Sequence, residues 1–287
     1  MVNKSLLVVI SVLVLSMLAC SVTIDRPNRD VRTGPSQTDE ISVAQLPAGE
    51  VADLRLEFGA GELTLNPGAQ DMLVSGTATY NVQELKPEVT VSGNEVVISN
   101  GDLKIEGVPY LKDYKNEWGF QLGSDPLNLV IQAGAYQGDL ELGGLALHSL
   151  QVSDGAAQVD LAFSQPNPVV METLRYETGA SQVHLTGLAN ANFSKMDFKG
   201  GAGEYVLEFS GELMRDATVT VDAGLSSIKI IVPEGTSARV IVDRGLANVD
   251  IDNGWEKSGN DYTTAGEGPR LTINVNLGAG NLELSTR

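Results

Sequence analysis

A glycine-centred pattern that recurs eight times constrains the fold of this chain more than any other feature of its sequence. The glycines are at positions 59, 134, 155, 179, 201, 224, 245 and 278. Apolar residues lie five and three positions before each glycine and four and six positions after it, although the copy at Gly134 fits only with two extra residues after its glycine. Alternating apolar and polar residues are typical of β-strands. Each copy is therefore predicted to form a strand, a tight corner and a second strand.

The corner itself has a recognisable composition. Glycine is expected there because the corner needs either a positive φ or room for neighbouring backbone. Alanine follows the glycine in six of the eight copies, and we expect this small residue to face inward. The third residue after each glycine should face outward. These residues are Glu62, Gln158, Gln182, Glu204, Ser227, Asn248 and Asn281, with Asp139 in the shifted copy.

A single copy of the pattern is too small to fold alone. Burying its four apolar side chains contributes roughly 6–12 kcal/mol. Ordering about 22 residues costs more than that, at ~1–2 kcal/mol per residue for the backbone. Stacked copies share backbone hydrogen bonds and a continuous core. The sequence therefore predicts an all-β fold: a parallel, β-helix-like β-solenoid built as a stack of short strands.

The composition limits the ligands that such a fold would bind. The chain has 287 residues, with 37 Asp and Glu against 19 Lys and Arg, and a formal net charge of −18. Nucleic acid is not expected as a partner, because phosphate binding needs a basic surface. A single cysteine excludes an internal disulfide, and His148 and His184 are too few for a histidine-based zinc site. No cofactor, no metal site and no catalytic residue are predicted.

The amino terminus has the pattern of a secretion signal. Lys4 precedes the apolar run Leu6–Ala19, which is shorter than the ~20 residues of a membrane span. Met17-Leu18-Ala19-Cys20 resembles the lipobox of bacterial lipoproteins. The resemblance implies a diacylglycerol on the thiol of Cys20, and fatty acids such as palmitate on the amine freed by cleavage. An uncleaved signal anchor is the alternative interpretation.

These observations predict the organisation of the chain. Residues 1–19 are expected to be a lipoprotein signal peptide, and residues 20–46 the lipidated cysteine with a flexible linker. The β-solenoid domain should cover residues 47–287, with irregular rungs in 47–126 and regular repeats in 127–287. Through its lipid anchor the protein would lie outside the cytoplasm, on a membrane of the bacterial cell envelope.

The strands also carry a family resemblance. The Gly-Ala corners, the lead-in Glu117–Leu122 and the segment Leu127–Leu161 resemble bacterial toast-rack domains, which are related to LiaF-like carboxy-terminal domains and to families labelled "putative adhesin". The resemblance covers residues 45–287 and implies an envelope protein without established catalytic residues. LiaF-like relatives imply a role in envelope-stress signalling, but they carry transmembrane helices, and none is expected here after residue 20.

The predicted function is that of a non-enzymatic envelope lipoprotein that presents a β-solenoid as a binding, adhesion or structural surface to an envelope protein or polysaccharide. Two alternatives stay open. One is a polysaccharide lyase or hydrolase that uses Asp139, Glu141 and Asp160, since carboxyl groups ~5–9 Å apart suit glycosidase chemistry. The other is a LiaF-like regulator of envelope stress.

Three further patterns are weaker. His184 alternates with apolar neighbours and is expected on the surface. The acidic segment 250–261 has some features of a calcium loop, but its glycine is misplaced and the bidentate glutamate is missing, so a polar loop is favoured. The last repeat ends at Leu284, so self-association through an uncapped carboxy-terminal rung is expected unless residues 252–270 cover it.

Overall fold

The computed structural model describes residues 33–47, 49–100 and 114–287, and it describes the backbone but not the side chain of Arg244. Within these ranges the protein is all-β, as predicted. The strands are β1 Gln37–Ala44, β2 Ala52–Pro67, β3 Met72–Tyr80, β4 Pro87–Ser92, β5 Glu95–Asn100, β6 Asn116–Leu122, β7 Leu127–Glu141, β8 Leu147–Asp154, β9 Ala156–Ala162, β10 Met171–Thr186, β11 Phe193–Glu208, β12 Ala217–Val232, β13 Thr236–Ile251, β14 Glu256–Ser258, β15 Asp261–Thr263 and β16 Glu267–Thr286. Short 3₁₀ helices cover Gln83–Leu85 and Leu188–Ala191.

The glycine-centred copies pair side by side in parallel. In spatial order they are β2, β7, the pair β8 and β9, β10, β11, β12, β16 and β13. Equivalent positions of the pattern are direct partners, so that Tyr176 pairs with Phe198 and Phe198 with Val221. Identical positions therefore form columns across the strands.

Antiparallel pairs extend this arrangement at both ends. At one end β6 pairs in parallel with the second half of β2, and β3 and β1 follow it in antiparallel pairs. The hairpin of β4 and β5 pairs in parallel, through β5, with the first half of β2. At the other end the short strands β14 and β15 form a hairpin, and β15 pairs with Arg239–Ile241 of β13. The segment 252–270 thus covers part of the last strand.

The core contains the apolar columns that the pattern predicts. All of the apolar residues in the four repeated positions are buried except two on the last strand, β13. Val249 is partly buried and Ile251 is 38% exposed. Both are less covered because β13 has a repeat strand on only one side. The inward-facing columns are therefore confirmed.

The predicted insertion after Gly134 is wrong. The pairing with β2 and β9 runs without interruption through Ala135, Gly138 and Leu140. Gly138 takes the position of the fourth residue after the glycine, and the ring of Tyr136 fills the space: a Cβ on Gly138 would lie 2.7 Å from Cε2 of that ring. Gln137, rather than Asp139, is therefore the outward third residue of this copy.

The corner alanines do not face inward as expected. The glycine and the residue after it both lie on the outside, so alanines such as Ala156, Ala180 and Ala202 are exposed. The strict alternation breaks at the corner, and the inward positions are those just before the glycine and two after it. The corner glycines are needed for close approach: a Cβ on Gly179 would lie 2.3 Å from the carbonyl oxygen of Gly155.

Two other predictions need correction. The flexible linker predicted for residues 20–46 is wrong over Gln37–Ala44, where β1 pairs with β3 and buries Ile41 and Val43. The carboxy-terminal repeat, β16, is not the terminal rung. It lies between β12 and β13 and is paired on both edges, so it offers no free edge for the predicted self-association.

Candidate binding surface

A row of polar side chains crosses the outside of the parallel strands. We call it the outer polar row; its members lie two positions before each corner glycine and are exposed or partly buried. In spatial order they are Glu57, Gln132, Ser153, Glu177, Lys199, Asp222, Asn276 and Asp243. Neighbouring members are about 4.8 Å apart along the row, the usual distance between strands.

Several members of this row bind one another. Lys199 Nζ lies 3.0 Å from Glu177 Oε1, and Asn276 Nδ2 donates to Asp222 Oδ1 at 2.6 Å. These bonds hold long side chains in fixed positions on the outside of the sheet. The row is therefore a preordered polar surface, and its charges and amides are available at regular intervals.

An open groove of about 610 Å³ follows one end of the outer polar row. Its walls include Lys199, Asp222, Asn276 and Asp243. The corner glycines 224, 278 and 245 also line it, so backbone without side chains is accessible there. The groove combines carboxylate, amide and ammonium groups, which suits a ligand that makes many hydrogen bonds.

Two leucines are exposed beside this groove. Leu225 and Leu246 directly follow their corner glycines, and their side chains are 66% and 89% exposed. Both pair with Ala279, which lies between them on β16. Exposed leucines at these positions are the consequence of the outward-facing corner. The sequence interpretation missed them, because it placed this column inside.

The carboxylates proposed for sugar cleavage are only partly brought together. Asp139 and Asp160 are direct partners on β7 and β9, and both are exposed. His184 lies on the surface as predicted, with Nδ1 3.5 Å from Asp160 Oδ1. Glu141 instead accepts hydrogen bonds from the backbone N–H groups of Gly143, at 2.6 Å, and Ser164, at 3.2 Å. The three carboxylates therefore do not surround one centre.

The acidic segment 250–261 runs from the end of β13 through β14 to the first residue of β15. Burial opposes ionisation of Asp252, but hydrogen bonds from the N–H groups of Thr286 (2.5 Å) and Gly254 (2.9 Å) outweigh it and lower the pKa of this carboxyl. Asp261 binds Arg239 at 2.8 Å. Asp252 thus binds Thr286 near the end of the chain, and Asp261 binds β13 through Arg239. The described residues contain no group of three or more His, Cys, Asp or Glu side chains that could hold a metal ion. Because its pKa is lowered on folding, ionised Asp252 stabilises the folded chain at pH values above its unfolded pKa. This stabilisation is lost as the pH falls through the pKa of Asp252 in the folded chain.

A buried polar cluster lies inside the corners of three strands, and the sequence interpretation did not identify it. Asp154 Oδ2 accepts a hydrogen bond from Tyr176 Oη at 2.8 Å, and Oδ1 accepts bonds from Thr178 Oγ1 and from Ser181 Oγ, the latter at 3.3 Å. Burial, together with the nearby Tyr136 and Asp154, raises the pKa of Tyr176. The sequence does have polar residues just before and two after some corner glycines. They indicate a buried polar cluster only when it is known that these two positions face inward.

The family comparison agrees with the predicted resemblance. Residues 32–172 match the family described as the N-terminal domain of toast_rack. The matched part runs from just before β1 to the start of β10 and covers slightly less than half of the chain. No curated protein matches the chain.

Similar solved structures cover most of the chain. A "putative cell adhesion protein" from Clostridium sporogenes is 21% identical, with a TM-score of 0.48, and the similarity covers 88% of this chain and 100% of that one. A "putative adhesin" from Bacteroides fragilis is 13% identical, with a TM-score of 0.34, over 87% of this chain and 96% of that one. A "putative lipid binding protein" from Parabacteroides distasonis is 11% identical, with a TM-score of 0.35, over the same shares of the two chains.

The anchor residue predicted from the sequence, Cys20, lies outside the described residues, as does the whole signal peptide. In the part of the chain that the structure describes, no helix has the length and apolar character needed to cross a bilayer.

Proposed function

We propose that this chain is a non-enzymatic bacterial cell-envelope lipoprotein that is anchored through Cys20 and binds envelope polysaccharide with the outside of a β-solenoid. The solenoid assignment is supported by the parallel pairing of equivalent positions from β2 to β13. The anchor is supported by the apolar run and lipobox-like residues of the amino terminus. The match of residues 32–172 to the N-terminal domain of toast_rack is consistent with the proposed domain.

The observation that carries the binding proposal is the outer polar row with its groove. Polysaccharides present hydroxyl groups at regular intervals, and they bind to surfaces that offer repeated hydrogen-bond donors and acceptors. The row offers carboxylate, amide and ammonium groups at a repeat of about 4.8 Å. Four of its members already bind one another in pairs, so little entropy of these side chains is lost when a ligand binds them.

The anchor leads to a first prediction. When the full chain is produced in a bacterial host supplied with a fatty acid that carries a detectable tag, the purified protein should carry the tag and fractionate with membranes. Cys20→Ala should remove both properties, because the acylated thiol is lost, whereas Ser21→Ala should keep them. Two acyl chains, at ~0.8 kcal/mol per buried CH₂, hold a protein stably on a bilayer. A tagged Cys20→Ala protein would contradict the anchor.

A second prediction concerns the binding surface. The full chain should sediment with insoluble cell-wall polysaccharide, and Asp222→Ala with Asn276→Ala should weaken this binding by about tenfold, because each lost polar contact contributes roughly 0.5–1.5 kcal/mol. The matched control is Asn248→Ala with Asn281→Ala, another outward hydrogen-bonded pair, at 3.1 Å, on the far side of the corner. This control should bind normally.

The same preparation separates binding from cleavage. We expect no release of reducing ends or unsaturated sugars from the polysaccharide. Release that disappears in Asp139→Asn or Asp160→Asn would instead support the enzymatic alternative, because those two carboxylates are neighbours on the sheet. Binding that is equal in the groove variant and its control would contradict the proposed surface.

A further inference from the structure

The last strand of the parallel array has one edge that is only partly covered. On its outer side, Arg239–Ile241 of β13 pairs with β15, and the N–H of Val242 donates to the carbonyl of Asn260 at 3.0 Å. From Asp243 to Ile251, no residue in the described part of the chain pairs with that side. An edge strand presents a row of N–H and C=O groups that can bind another strand. About nine residues of β13, a length of about 30 Å, are thus accessible.

This edge lacks several of the features that usually protect a strand from additional pairing. Such edges are commonly blocked by charged side chains, especially lysine, by proline or by a bulge. The segment from Asp243 to Ile251 has three charged residues, but it contains no proline and no lysine, and its register with β16 is regular over its whole length. Leu246, in the middle of the segment, is 89% exposed. The edge is long, regular and partly apolar.

The edge strands at the opposite end of the sheet differ. Strand β4 has only six residues and begins with a proline, Pro87. Strand β1 has an irregularity between Val43 and Ala44. Both features shorten or distort an edge. The second half of β13 is therefore the better template for an added strand.

Charge indicates what kind of segment would bind there. Asp243 and Asp250 lie on the edge strand, and Asp222 lies in the groove that reaches β13. Arg244 follows Asp243 on the same strand, so the segment from Asp243 to Ile251 has two acidic residues and one basic residue. A second copy of the chain would bring a net charge of −18 to this acidic edge and would be repelled.

We propose that the free edge of β13, from Asp243 to Ile251, binds an extended, basic segment of another protein as an added β-strand. Backbone hydrogen bonds provide the affinity in this mode, and alternate side chains provide the selectivity. Apolar side chains of the added strand would contact Leu246, and basic ones would lie near Asp243 and Asp250. The edge adjoins the polysaccharide groove at Asp243, but backbone pairing along β13 depends neither on polysaccharide binding nor on the lipid anchor.

The test uses the full chain in a mild detergent and three fluorescent peptides. In the first peptide, of about nine residues, lysine and valine alternate; in the second, glutamate replaces lysine; in the third, a proline replaces the central lysine. Fluorescence anisotropy should show that the lysine peptide binds at least about tenfold more tightly than either of the others, because only it combines positive charge with an uninterrupted row of N–H groups. Hydrogen exchange should show slower exchange of amides in 243–251 when this peptide is bound.

Paired variants separate the edge from general charge effects. Leu246→Lys should weaken binding of the lysine peptide by about tenfold, whereas Leu225→Lys, with the same change on a strand that is paired on both sides, should alter it by no more than about twofold. Likewise, Asp250→Asn should weaken binding, and the surface control Asp139→Asn should not.

Several outcomes would overturn the inference. These are equal binding of the glutamate peptide, equal loss in the two leucine variants, and protection at β1 or β4 instead of β13. Concentration-dependent dimers that disappear in Leu246→Lys would show that a second copy occupies the edge. The groove residues Asp222 and Asn276 are unchanged in these variants. A variant that loses peptide binding but still binds polysaccharide would therefore show that the loss concerns the edge alone.

Discussion

Replacing Gly179 by alanine is expected to lower the free energy of unfolding by roughly 3 kcal/mol, at the upper end of the usual cost of overpacking. The added Cβ would lie 2.3 Å from the carbonyl oxygen of Gly155 and 3.3 Å from its carbonyl carbon. This oxygen also accepts a hydrogen bond from the N–H of Ala180 at 2.9 Å. Because the contact is with backbone, no side chain can rotate to relieve it, and the strands must move apart.

The measurement is urea unfolding of the full chain, compared with a glycine that has space around it. Gly119 lies on β6, has no positive φ, and has no atom within 4 Å of the position that a Cβ would take. Gly119→Ala should leave the stability unchanged or raise it by up to about 1 kcal/mol, because alanine restricts the unfolded chain. Equal effects of the two substitutions would show that the close approach of the corners is not needed.

The same column of glycines explains why the sequence predicted the core so well. Glycine at the corner lets neighbouring copies approach, and the fixed number of residues on either side keeps each apolar residue in register with its equivalent. A period of two then determines which residues face inward. Val159, Val183 and Ile228 are buried because these three conditions hold in every copy. The polar side chains of the outer polar row follow from the same alternation.

The order of the last strands could not be predicted in this way. The repeated pattern is the same in every copy, so it contains no information about which copies are neighbours. In the structure β16 enters between β12 and β13. One difference in sequence favours this order: the residue before the glycine is Leu277 in β16, where it is buried, and Arg244 in β13. A strand with the more apolar sequence is better placed where both sides are covered.

The surface features were harder to predict because they depend on the exact geometry of the corner. Strict alternation would place the residue after the glycine inside, and the sequence interpretation placed the alanines there. The corner instead turns two consecutive residues outward, which exposes Leu225 and Leu246 and moves Ser181 to the inside, next to Asp154 and Thr178. The exposed leucines beside the groove and the completed polar cluster follow from this shift of one position, whereas the free edge of β13 follows from the order of the strands. Strand β1 was not predicted because the sequence around it is mostly polar. Its only apolar inward residues are Ile41 and Val43.

The buried polar cluster carries the second large prediction. Asp154→Ala should lower the free energy of unfolding by about 3 kcal/mol, because each buried donor left without an acceptor costs roughly 1–3 kcal/mol. Asp154 is 9% exposed and accepts hydrogen bonds from the hydroxyl groups of Tyr176, Thr178 and Ser181. When the carboxylate is removed, these hydroxyl groups stay buried in the corner without their acceptor. The exposed carboxylate Asp139 is the control, and Asp139→Ala should change the stability by less than about 0.5 kcal/mol.

A double-mutant cycle tests whether the loss comes from unsatisfied donors rather than from a cavity. Replacing both members of a buried hydrogen bond by apolar groups costs far less than removing one. Tyr176→Phe should therefore cost about 1 kcal/mol in the native background, yet little or nothing when Asp154 is already alanine. Effects that simply add would mean that the hydroxyl of Tyr176 gains nothing from Asp154. A coupling of about 1 kcal/mol or more would show that this carboxylate of β8 stabilises the fold by accepting hydrogen bonds from hydroxyl groups of the neighbouring strand β10.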